Sequence, residues 1–506
     1  MRLSNAENMR AADRHAIEIE GVPSEKLMEV AAAHLAKAAW ELAGENQRIA
    51  VFCGSGNNGG DGVGAAAMLT EAGFEVRAFL VGSREKMTRD TRLMEDRLVL
   101  AGGEFEEFSE EKVEIIKNYV NSCGALIDAV FGIGLRRPVE GDALTAVRLM
   151  NDSGVPVAAA DIPSGVAADT GAILGEAVLC KRTVTFSRAK PGHFLEPGCV
   201  YCGEVRVCPI GISEETLRDS ETEIHAVLPG DVTLPKRPRI SHKYNYGKLI
   251  IFGGCVGYTG APNLCARAAV RGGAGLVSLG VPEAIYPICA VKNDEAMPFP
   301  LPADAEGRFT ADAVEMALEK AKGASVLLLG PGMGRSEGVR AFVKSLLRAA
   351  AVPLILDADA LWAISDDPSV LKELSVPVIL TPHEGEFARL GGEIGNDRLA
   401  SARRFAAEYG CILILKGHHS IVALPSGEAH IIAAGNPGMA RGGSGDVLAG
   451  ILGAMLCQFP AEKAAVTGTW LHAAAGDACA EEKGEYGMTP TDIIEKLPEI
   501  MKGITR

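Results

Sequence analysis

The chain has few aromatic side chains, little positive charge and no long apolar run. Aromatic residues make up 5% of its 506 residues, and 50 Lys and Arg stand against 65 Asp and Glu, a formal net charge of −15. This balance argues against nonspecific binding to nucleic acid or to an anionic membrane, although it permits one phosphate ligand in a local pocket. No stretch approaches the roughly 18 consecutive apolar residues of a membrane helix, and residues 1–20 lack the apolar core of a secretory signal. We therefore expect a cytoplasmic protein that does not bind membranes.

The 12 cysteines are dispersed and mostly lie beside apolar residues, which is typical of reduced core cysteines in a cytosolic protein. One cluster differs, because Cys199 and Cys202 form a CxxC pair with Cys180, His193 and Cys208 nearby. Zinc binding or redox chemistry is one interpretation of this cluster. The absence of a second CxxC pair and the strand-like pattern of the segment favour a structural role instead.

Glycine, in contrast, is abundant, with 59 residues and no collagen period, which indicates tight turns and close approach of backbone to ligands. The length predicts two to four domains. Apolar strand-like runs alternate with amphipathic helical segments on both sides of an irregular, proline-rich stretch at 212–238. This alternation predicts parallel sheets covered by helices. We therefore expect two α/β domains, residues 1–215 and residues 225–506.

The apolar periodicity also places the individual elements. In the first half it predicts helices within 5–42, at 62–72 and at 91–101, and strands at Arg48–Cys53, 74–81, 125–131, 155–160, Arg182–Phe186 and 205–207. In the second half it predicts strands at Lys248–Phe252, 276–279, Val326–Leu329, 353–357, 376–380 and 412–416. Helices are predicted there at 261–272, 338–349 and 397–409, with a long helical region at 445–483 closing the chain.

A glycine loop follows the first predicted strand and carries the pattern GxGxxG at residues 54–59. The dinucleotide-binding fingerprint also requires an acidic residue at the end of the next strand, and none is present there, so a redox Rossmann site is disfavoured. Asn57, Asn58 and Asp61 in the loop offer amide and carboxylate oxygens beside exposed backbone N–H groups. Such a set suits either a phosphate or a hard cation.

Two further loops follow predicted strands and carry polar residues. Asp128 precedes the glycines Gly132 and Gly134, and Asp161 precedes Ser164. A single Asp after a strand is often only a helix cap. Ligands bind at the carboxyl ends of strands in open α/β sheets, so three such loops together indicate a site.

The strings GSGNNGGDG, DAVFGIG and DIPSG together resemble the YjeF N-terminal family, the NAD(P)H-hydrate epimerases, over residues 1–215. The resemblance implies a Rossmann-like three-layer sandwich and a potassium ion held by Asn58, Asp128 and Ser164. An oxygen-only ligand set of this kind suits a hard cation. Asp161 is the candidate acid–base residue, since epimerisation at the C6 hydroxyl of the hydrated ring requires proton transfer there. The contacts with the damaged nucleotide implied by the resemblance are Asn57, Asn58, Gly59, Gly60, Asp61, Gly132, Ile133, Gly134, Leu135, Arg136, Arg137, Pro138 and Asp161.

The strongest signal in the second half is the segment 440–450, in which glycines open a helix. Unpaired N–H groups at such an N-terminus form an anion-binding hole. Asp446 lies in the first turn, where it would not attract an anion, so we interpret it as a base aimed at a hydroxyl that meets a phosphoryl group. Helix capping by Asp446 is the alternative. His383 and Glu384 do not form HExxH, and the adjacent His418 and His419 do not share a helix face, which favours a surface pair.

Joined to HKYNYG, GPGMG, DADA, TPHEGE and KGHHS, this segment resembles the ribokinase-like, ADP-dependent NAD(P)H-hydrate dehydratases over residues 225–506. The resemblance implies a ribokinase-like three-layer α/β domain. It implies substrate contacts at Ala261, Gly334, His383 and Asp446, and ADP or AMP contacts at Lys416, Gly417, His418, His419, Ser420 and Gly445. Mg²⁺ is expected to accompany ADP. Ser444 stands where the family often has Thr, and both carry a hydroxyl.

The two resemblances together imply a bifunctional enzyme of nicotinamide nucleotide repair. It would interconvert the R and S hydrates of NADH and NADPH and dehydrate the S form at the expense of ADP, giving AMP and phosphate. We expect these small molecules as its partners, no nucleic acid, and assembly into a homo-oligomer. Two alternatives stay open: the C-terminal half as a small-molecule kinase of the same fold, and the N-terminal half as a nucleotide-binding or dimerisation module without catalysis.

Overall fold

The computed structural model describes residues 1–219 and 222–506 and divides them into two compact units. One unit comprises residues 2–224, and the other comprises His225–Arg506 together with Met1. Within the described ranges, no helix is both long enough and apolar enough to cross a membrane.

The N-terminal unit is built on a seven-stranded sheet in which every strand pairs in parallel with its neighbours. The strand order is β3-β2-β1-β4-β5-β6-β7. Strands β2 and β3 lie on one side of β1, whereas β4 to β7 lie on the other side. The strand order therefore reverses between β1 and β4, and open α/β sheets bind ligands at such a switch point. The strands are β1 Arg48–Cys53, β2 Glu75–Leu80, β3 Glu104–Glu107, β4 Ala125–Ala129, β5 Val157–Ala160, β6 Arg182–Phe186 and β7 Glu204–Cys208.

Helices cover both faces of this sheet because its central strands are apolar on both sides. Ile49, Val51 and Cys53 of β1 pack into one buried cluster, and Ala50 and Phe52 pack into another on the opposite face. The first four helices line the former face, and the fifth and sixth line the latter. The helices are α1 Ala6–Glu18, α2 Ser24–Ala43, α3 Asn57–Glu71, α4 Arg89–Leu100, α5 Val113–Val120, α6 Asp142–Asp152, α7 Gly198–Cys202 and α8 Glu214–Asp219.

The C-terminal unit is built on a ten-stranded sheet of order β11-β10-β9-β12-β13-β14-β15-β16-β17-β8. From β11 to β15 the strands are parallel, whereas β15, β16 and β17 pair antiparallel. The strands are β8 Ile224–Val227, β9 Lys248–Phe252, β10 Leu276–Pro282, β11 Met297–Leu301, β12 Val326–Leu329, β13 Leu354–Leu356, β14 Val378–Leu380, β15 Ile412–Leu415, β16 Ile421–Ala423 and β17 Ala429–Ile432.

Here too the sheet is the middle of three layers. Leu249 and Ile251 of β9 pack toward the helices that close the chain, whereas the Phe252 ring meets the Phe342 ring edge-on at 5.8 Å on the opposite face. The helices are α9 Gly260–Arg271, α10 Tyr286–Lys292, α11 Val314–Ala321, α12 Glu337–Arg348, α13 Asp359–Ile364, α14 Glu384–Arg389, α15 Arg398–Tyr409, α16 Ser444–Leu456, α17 Ala461–Lys483 and α18 Pro490–Ile504. The predicted fold class, two three-layer α/β units, is confirmed.

Several predicted elements differ from the structure. The CxxC segment is not a strand but the short helix α7, which follows Pro197 and ends at Gly203, whose φ is +57°. The predicted helical region 445–483 is two helices, because Pro460 has no N–H to continue the first, and α18 follows them. Helix α3 begins at Asn57 rather than at residue 62, so part of the glycine loop is itself helical.

Candidate functional site

The N-terminal unit contains a cavity of about 830 Å³ around the switch point between β1 and β4. The loops that follow β1 and β4 form part of its wall, together with Asp161 after β5. The first two helices, the last residue of β6 and the segment after it also line the cavity, through Met9, Arg10, Asp13, Leu27, Met28, Phe186 and Lys190.

Most of the substrate contacts implied by the sequence lie on this cavity. Its lining includes Asn57, Asn58, Asp61, Gly132, Ile133, Gly134, Leu135, Arg136, Arg137 and Asp161. Gly59 and Gly60 are instead buried in the first turn of α3, and Pro138 lies on the exposed surface. A Cβ atom at Gly59 would fall 1.7 Å from the carbonyl oxygen of Gly54, so this glycine is required by backbone packing.

Asp161 lies at the centre of a buried polar cluster directly after β5. Its Oδ1 accepts hydrogen bonds from Lys190 Nζ at 2.5 Å, from Thr185 Oγ1 at 3.0 Å and from the backbone N–H of Phe186 at 3.3 Å. Burial alone would raise the pKa of this carboxyl group, but the ammonium of Lys190 and these hydrogen bonds outweigh it and lower the pKa. Asp161 is therefore held ionised.

Two further carboxyl groups on the cavity have raised rather than lowered pKa values. Burial raises the pKa of Asp13 to about 6, with Lys190 lowering it and Asp161 adding to the rise. Burial, and then the charges of Asp161 and Asp13, raise the pKa of Asp61 well above its ordinary value. At neutral pH the cavity thus holds the ionised Asp161 beside the protonated Asp61, whereas Asp13 gains its proton only below about pH 6. An ionised carboxylate beside a protonated one is found at acid–base sites.

Sequence reasoning missed Asp13 and Lys190. Asp13 shares a helical face with Met9, Arg10 and Ile17, which also line the cavity, so the spacing along α1 was an available signal. Lys190 carried a weaker signal, as a lysine four residues beyond an apolar strand.

Asp128 and Ser164, two of the expected cation ligands, are buried and in contact. Oδ1 of Asp128 accepts from Ser164 Oγ at 2.6 Å, and its Oδ2 accepts from the backbone N–H of Ser164 at 2.7 Å. Burial raises the pKa of Asp128 to about 6 even though these hydrogen bonds lower it. A cation beside this carboxylate would favour its ionised form.

The third expected ligand, Asn58, supports the same fit. Its amide Nδ2 is buried and has no hydrogen-bond partner among residues 1–219 and 222–506. A half-turn of the amide would bring its oxygen to that position. Amide, carboxylate and hydroxyl oxygens form a donor set that fits a hard cation such as K⁺.

The C-terminal unit has its own polar cluster where β13, β14 and β15 end. Lys416 Nζ lies 3.2 Å from Oδ1 of Asp357 and 3.7 Å from Oε2 of Glu386, and Thr381 Oγ1 donates to Asp357 Oδ1 at 2.7 Å. A Cβ atom at Gly445 would lie 3.5 Å from Lys416 Nζ. The ammonium of Lys416 therefore stands at the N-terminus of α16.

Asp446 lies in the first turn of α16, whose N-cap Gly443 has φ +98°. Burial raises its pKa to about 7; Asp357 and Asp359 add to the rise, and Lys416 opposes it. A carboxyl group with this pKa is divided between acid and base near neutrality, which suits a group that accepts a proton during turnover.

The other residues implied by the second resemblance lie on nearby loops. Ala261 opens α9 after β9, and a Cβ atom at Gly332 would lie 3.1 Å from its side chain, so the GPGMG loop adjoins Ala261. The N–H of Gly334 donates to Asp359 Oδ2 at 2.9 Å. His383 caps α14 through Nδ1 and is 56% exposed.

The segment Lys416–Ser420 follows β15. His418 is exposed and His419 half-buried, and their rings stack with centroids 4.4 Å apart. Gly417 is exposed, and its carbonyl accepts from Ser420 Oγ at 3.4 Å. Exposed backbone and side chains of this kind are available to a nucleotide.

Both units thus carry features of an α/β enzyme. The first has a cavity at the switch point of its sheet, and the second has a helix N-terminus beside Lys416 and the half-buried Asp446. Two family models match the chain: one described as YjeF-related protein N-terminus over residues 24–192, and one described as NAD(P)H-hydrate dehydratase over residues 249–499.

Curated relatives match along nearly the whole length. The chain is 37% identical over 509 residues to the bifunctional NAD(P)H-hydrate repair enzyme Nnr of Thermofilum pendens, covering 100% of this chain and 97% of the relative. It is 36% identical over 521 residues to the enzyme of that name from Moorella thermoacetica, with the same coverage. The chain therefore belongs to the family of bifunctional NAD(P)H-hydrate repair enzymes, and both resemblances seen in the sequence are confirmed.

A solved structure supports the fold of the second unit. A ribokinase-like superfamily protein from Enterococcus faecalis V583 superimposes with a TM-score of 0.50 at 29% sequence identity. The match covers 56% of this chain and 97% of that protein.

Proposed function

We propose that the chain repairs hydrated nicotinamide nucleotides in two steps, one in each unit. The unit of residues 2–224 interconverts the R and S hydrates of NADH and NADPH, and the unit of residues 225–506 dehydrates the S hydrate while ADP is converted to AMP and phosphate. Family membership supports both activities. The observation that carries the proposal is the pair of carboxyl groups with perturbed pKa values, the buried Asp161 and the half-buried Asp446, one in each candidate site.

In the epimerase site, Asp161 is the base. It is ionised because Lys190 lies against it, so it accepts the proton of the C6 hydroxyl as the bond between C6 and the ring nitrogen breaks and leaves a carbonyl at C6. The bond re-forms on the other face of this carbonyl, and Asp161 returns the proton to the oxygen.

We propose that K⁺ is held by Asn58, Asp128 and Ser164. A bound cation supplies positive charge close to an anionic nucleotide, which a chain of net charge −15 otherwise lacks. Ser164 Oγ donates to Asp128 and accepts from the backbone N–H of Phe131. These hydrogen bonds fix the loop of residues 130–137, which lines the cavity.

In the dehydratase site, Asp446 accepts the proton of the C6 hydroxyl as that oxygen receives the β-phosphoryl group of ADP. Hydroxide is a poor leaving group and phosphate a good one. Phosphate therefore leaves C6 while C5 loses a proton to water, which restores the reduced nicotinamide and leaves AMP and phosphate as products. Mg²⁺ bound to ADP would supply charge that neutralises the transferring phosphoryl group. The N–H groups at the start of α16 and the ammonium of Lys416 receive the phosphates.

The nucleotide contacts proposed for this unit follow from its loops. We propose that Ala261, Gly334 and His383 contact the hydrated nucleotide, and that Lys416–Ser420 with Gly445 contact ADP. These residues lie at the carboxyl ends of β9, β12, β14 and β15 and at the N-terminus of α16, the edge of a parallel sheet where ligands bind.

We further propose that the protein works in the cytoplasm as a homo-oligomer. Its proposed substrates are coenzymes of the cell interior, and most of its cysteines are buried thiols that suit a reducing compartment. Light scattering on the purified chain measures its oligomeric state.

The proposed function is tested by a coupled assay with the pure R hydrate and ADP, following the return of reduced-nicotinamide absorbance. The wild-type chain should restore absorbance, since epimerisation feeds dehydration. Asp161→Asn should repair only the S hydrate, and Asp446→Asn should interconvert the hydrates but restore neither. A phosphorylated product that accumulates while the reduced-nicotinamide absorbance does not return would instead identify a kinase of the same fold.

A further inference from the structure

The short turn Lys190–His193 follows β6 and folds back on the residue that ends β5. His193 is buried, and its Nδ1 accepts a hydrogen bond from the backbone N–H of Lys190 at 2.9 Å. Its Nε2 lies 2.8 Å from the backbone oxygen of Asp161. One imidazole ring therefore joins the main chains of two residues that are 29 positions apart and whose side chains form an ion pair.

These two contacts define which nitrogen of the ring carries hydrogen. A backbone N–H is a donor, so Nδ1 of His193 must be an acceptor without hydrogen. A carbonyl oxygen is an acceptor, so Nε2 must donate. The ring is the neutral Nε2–H tautomer, and burial together with the charge of Lys190 lowers its pKa to about 4, which keeps it neutral at physiological pH.

The residue that this ring holds is in an unusual backbone conformation. Asp161 has φ +64°, in the left-handed region that side-chain-bearing residues seldom occupy. Such strain persists only where the surroundings impose it. The N–H of Asp161 donates to Val184 O at 2.8 Å, and its carbonyl accepts from His193, so the residue is held on both sides.

We propose that His193 is a positioning residue of the epimerase, which holds the strained backbone of Asp161 and the backbone of Lys190 together so that the ion pair of their side chains faces the cavity. It acts through Asp161 and does not touch the substrate. This role rests on the proposed epimerase function. Without the ring, Asp161 would relax toward an ordinary conformation, and its carboxylate would separate from the ammonium.

The test compares three variants of the full chain with wild type. His193→Leu keeps a side chain of similar size and removes both hydrogen bonds. His193→Gln keeps one acceptor oxygen and one donor nitrogen in a side chain of similar length. His34→Leu, at a half-buried histidine of α2, is the matched control. For each variant, kcat and KM for R-to-S interconversion are measured across the pH range, and dehydration of the S hydrate reports the other unit.

We expect kcat of His193→Leu to fall roughly ten- to hundredfold, the loss that follows a displacement of about 1 Å at a reacting group, with KM within about twofold. The acid limb of its pH profile should move up by about one unit or more, because Asp161 loses its ammonium partner and stays buried. His193→Gln should recover most of the loss, and His34→Leu should match wild type.

An unchanged kcat and acid limb in His193→Leu would overturn this role, as would a folded Gln variant that is no better than Leu. Should His193→Leu fail to fold, His193→Asn, which is too short to span both contacts, takes its place in the comparison with Gln. A wild-type chain that does not interconvert the hydrates overturns the proposed function itself. An active wild type with unaffected variants overturns only the role of His193.

Discussion

Replacing Asp446 by Asn should make the C-terminal unit more stable, by an amount that grows with pH. Burial first, and then the charges of Asp357 and Asp359, raise the pKa of Asp446 from 3.8 to about 7 in the folded chain, although Lys416 opposes them. Between these two values the folded chain keeps a proton that the unfolded chain has released. Stability therefore falls as pH rises through this interval.

The size of the effect follows from the shift. One pKa unit corresponds to about 1.4 kcal/mol, so a shift of roughly three units lowers the free energy of unfolding by about 4 kcal/mol between pH 4 and pH 7. Above pH 7 the loss stays constant. An ionised Asp also interacts favourably with the N-terminus of α16, but this interaction contributes only about 0.3–1 kcal/mol. The destabilisation by the raised pKa is therefore the larger of the two effects. The amide in the Asp446→Asn variant carries no charge, so this variant should escape the loss.

The measurement is urea unfolding at pH 4.5, 6, 7 and 8 in the full chain. A Trp40→Phe background leaves Trp362 and Trp470, which both lie in the C-terminal unit, as the fluorescent reporters. The difference between Asp446→Asn and its parent should be small at pH 4.5 and reach several kcal/mol at pH 8. The same substitution should reduce dehydration by about 10²–10⁴-fold, because a general base is lost.

Asp366→Asn is a control of opposite sign in the same unit. Burial raises the pKa of Asp366, but its contacts with Lys344 and Arg340 outweigh burial and lower it. This carboxylate therefore adds stability above its unfolded pKa, and the Asn variant should lose stability at pH 6–8 and match its parent in acid. The reasoning for Asp446 is refuted if its Asn variant is equally or less stable than the parent at pH 8.

Three further predictions concern the N-terminal unit. Asp161→Asn should lower epimerisation by about 10²–10⁴-fold, while the same chain still dehydrates the S hydrate; retained interconversion of the pure R hydrate would contradict the base role. Lys190→Met should destabilise this unit by about 3–5 kcal/mol, because it leaves a buried carboxylate without a partner; the fluorescence of Trp40 during urea unfolding, in a background with Trp362→Phe and Trp470→Phe, measures this, and an unchanged midpoint would be evidence against the ion pair. Ser164→Ala should raise the K⁺ concentration needed for half-maximal epimerisation by about tenfold or more, and a wild-type response to K⁺ would remove Ser164 from the ligand set.

Much of the fold was predictable because its central strands are buried on both faces. The predicted strands Arg48–Cys53, Arg182–Phe186, Lys248–Phe252 and Val326–Leu329 coincide with strands of the structure; three of them contain continuous apolar runs, and Arg182–Phe186 is rich in β-branched residues. Edge elements were harder to predict. Strand β3 reads Glu-Phe-Glu-Glu, and its charged, half-exposed residues carry no apolar run.

Candidate site residues in loops directly after strands were predictable for the same reason. Asp128 lies near the carboxyl end of β4 and Asp161 directly follows β5, and parallel strands bring such positions to one edge of the sheet. Asp13 and Lys190 were not predictable in this way. Asp13 lies on a helix before the first strand, and Lys190 meets Asp161 only because β5 and β6 are neighbours.

The sequence by itself determined the positions of the glycine loops that follow the strands, the division into two α/β units, and the candidate carboxylates Asp161 and Asp446. These features depend on apolar periodicity and turn residues, which act over a few neighbouring positions. Only the tertiary structure decided the protonation of these groups. The pKa of Asp161 is lowered by a lysine 29 residues away, and that of Asp446 is raised by burial and by Asp357 from another strand end. A pKa depends on the charges and the solvent within a few ångströms, and strand order, which local pattern does not encode, determines which charges those are.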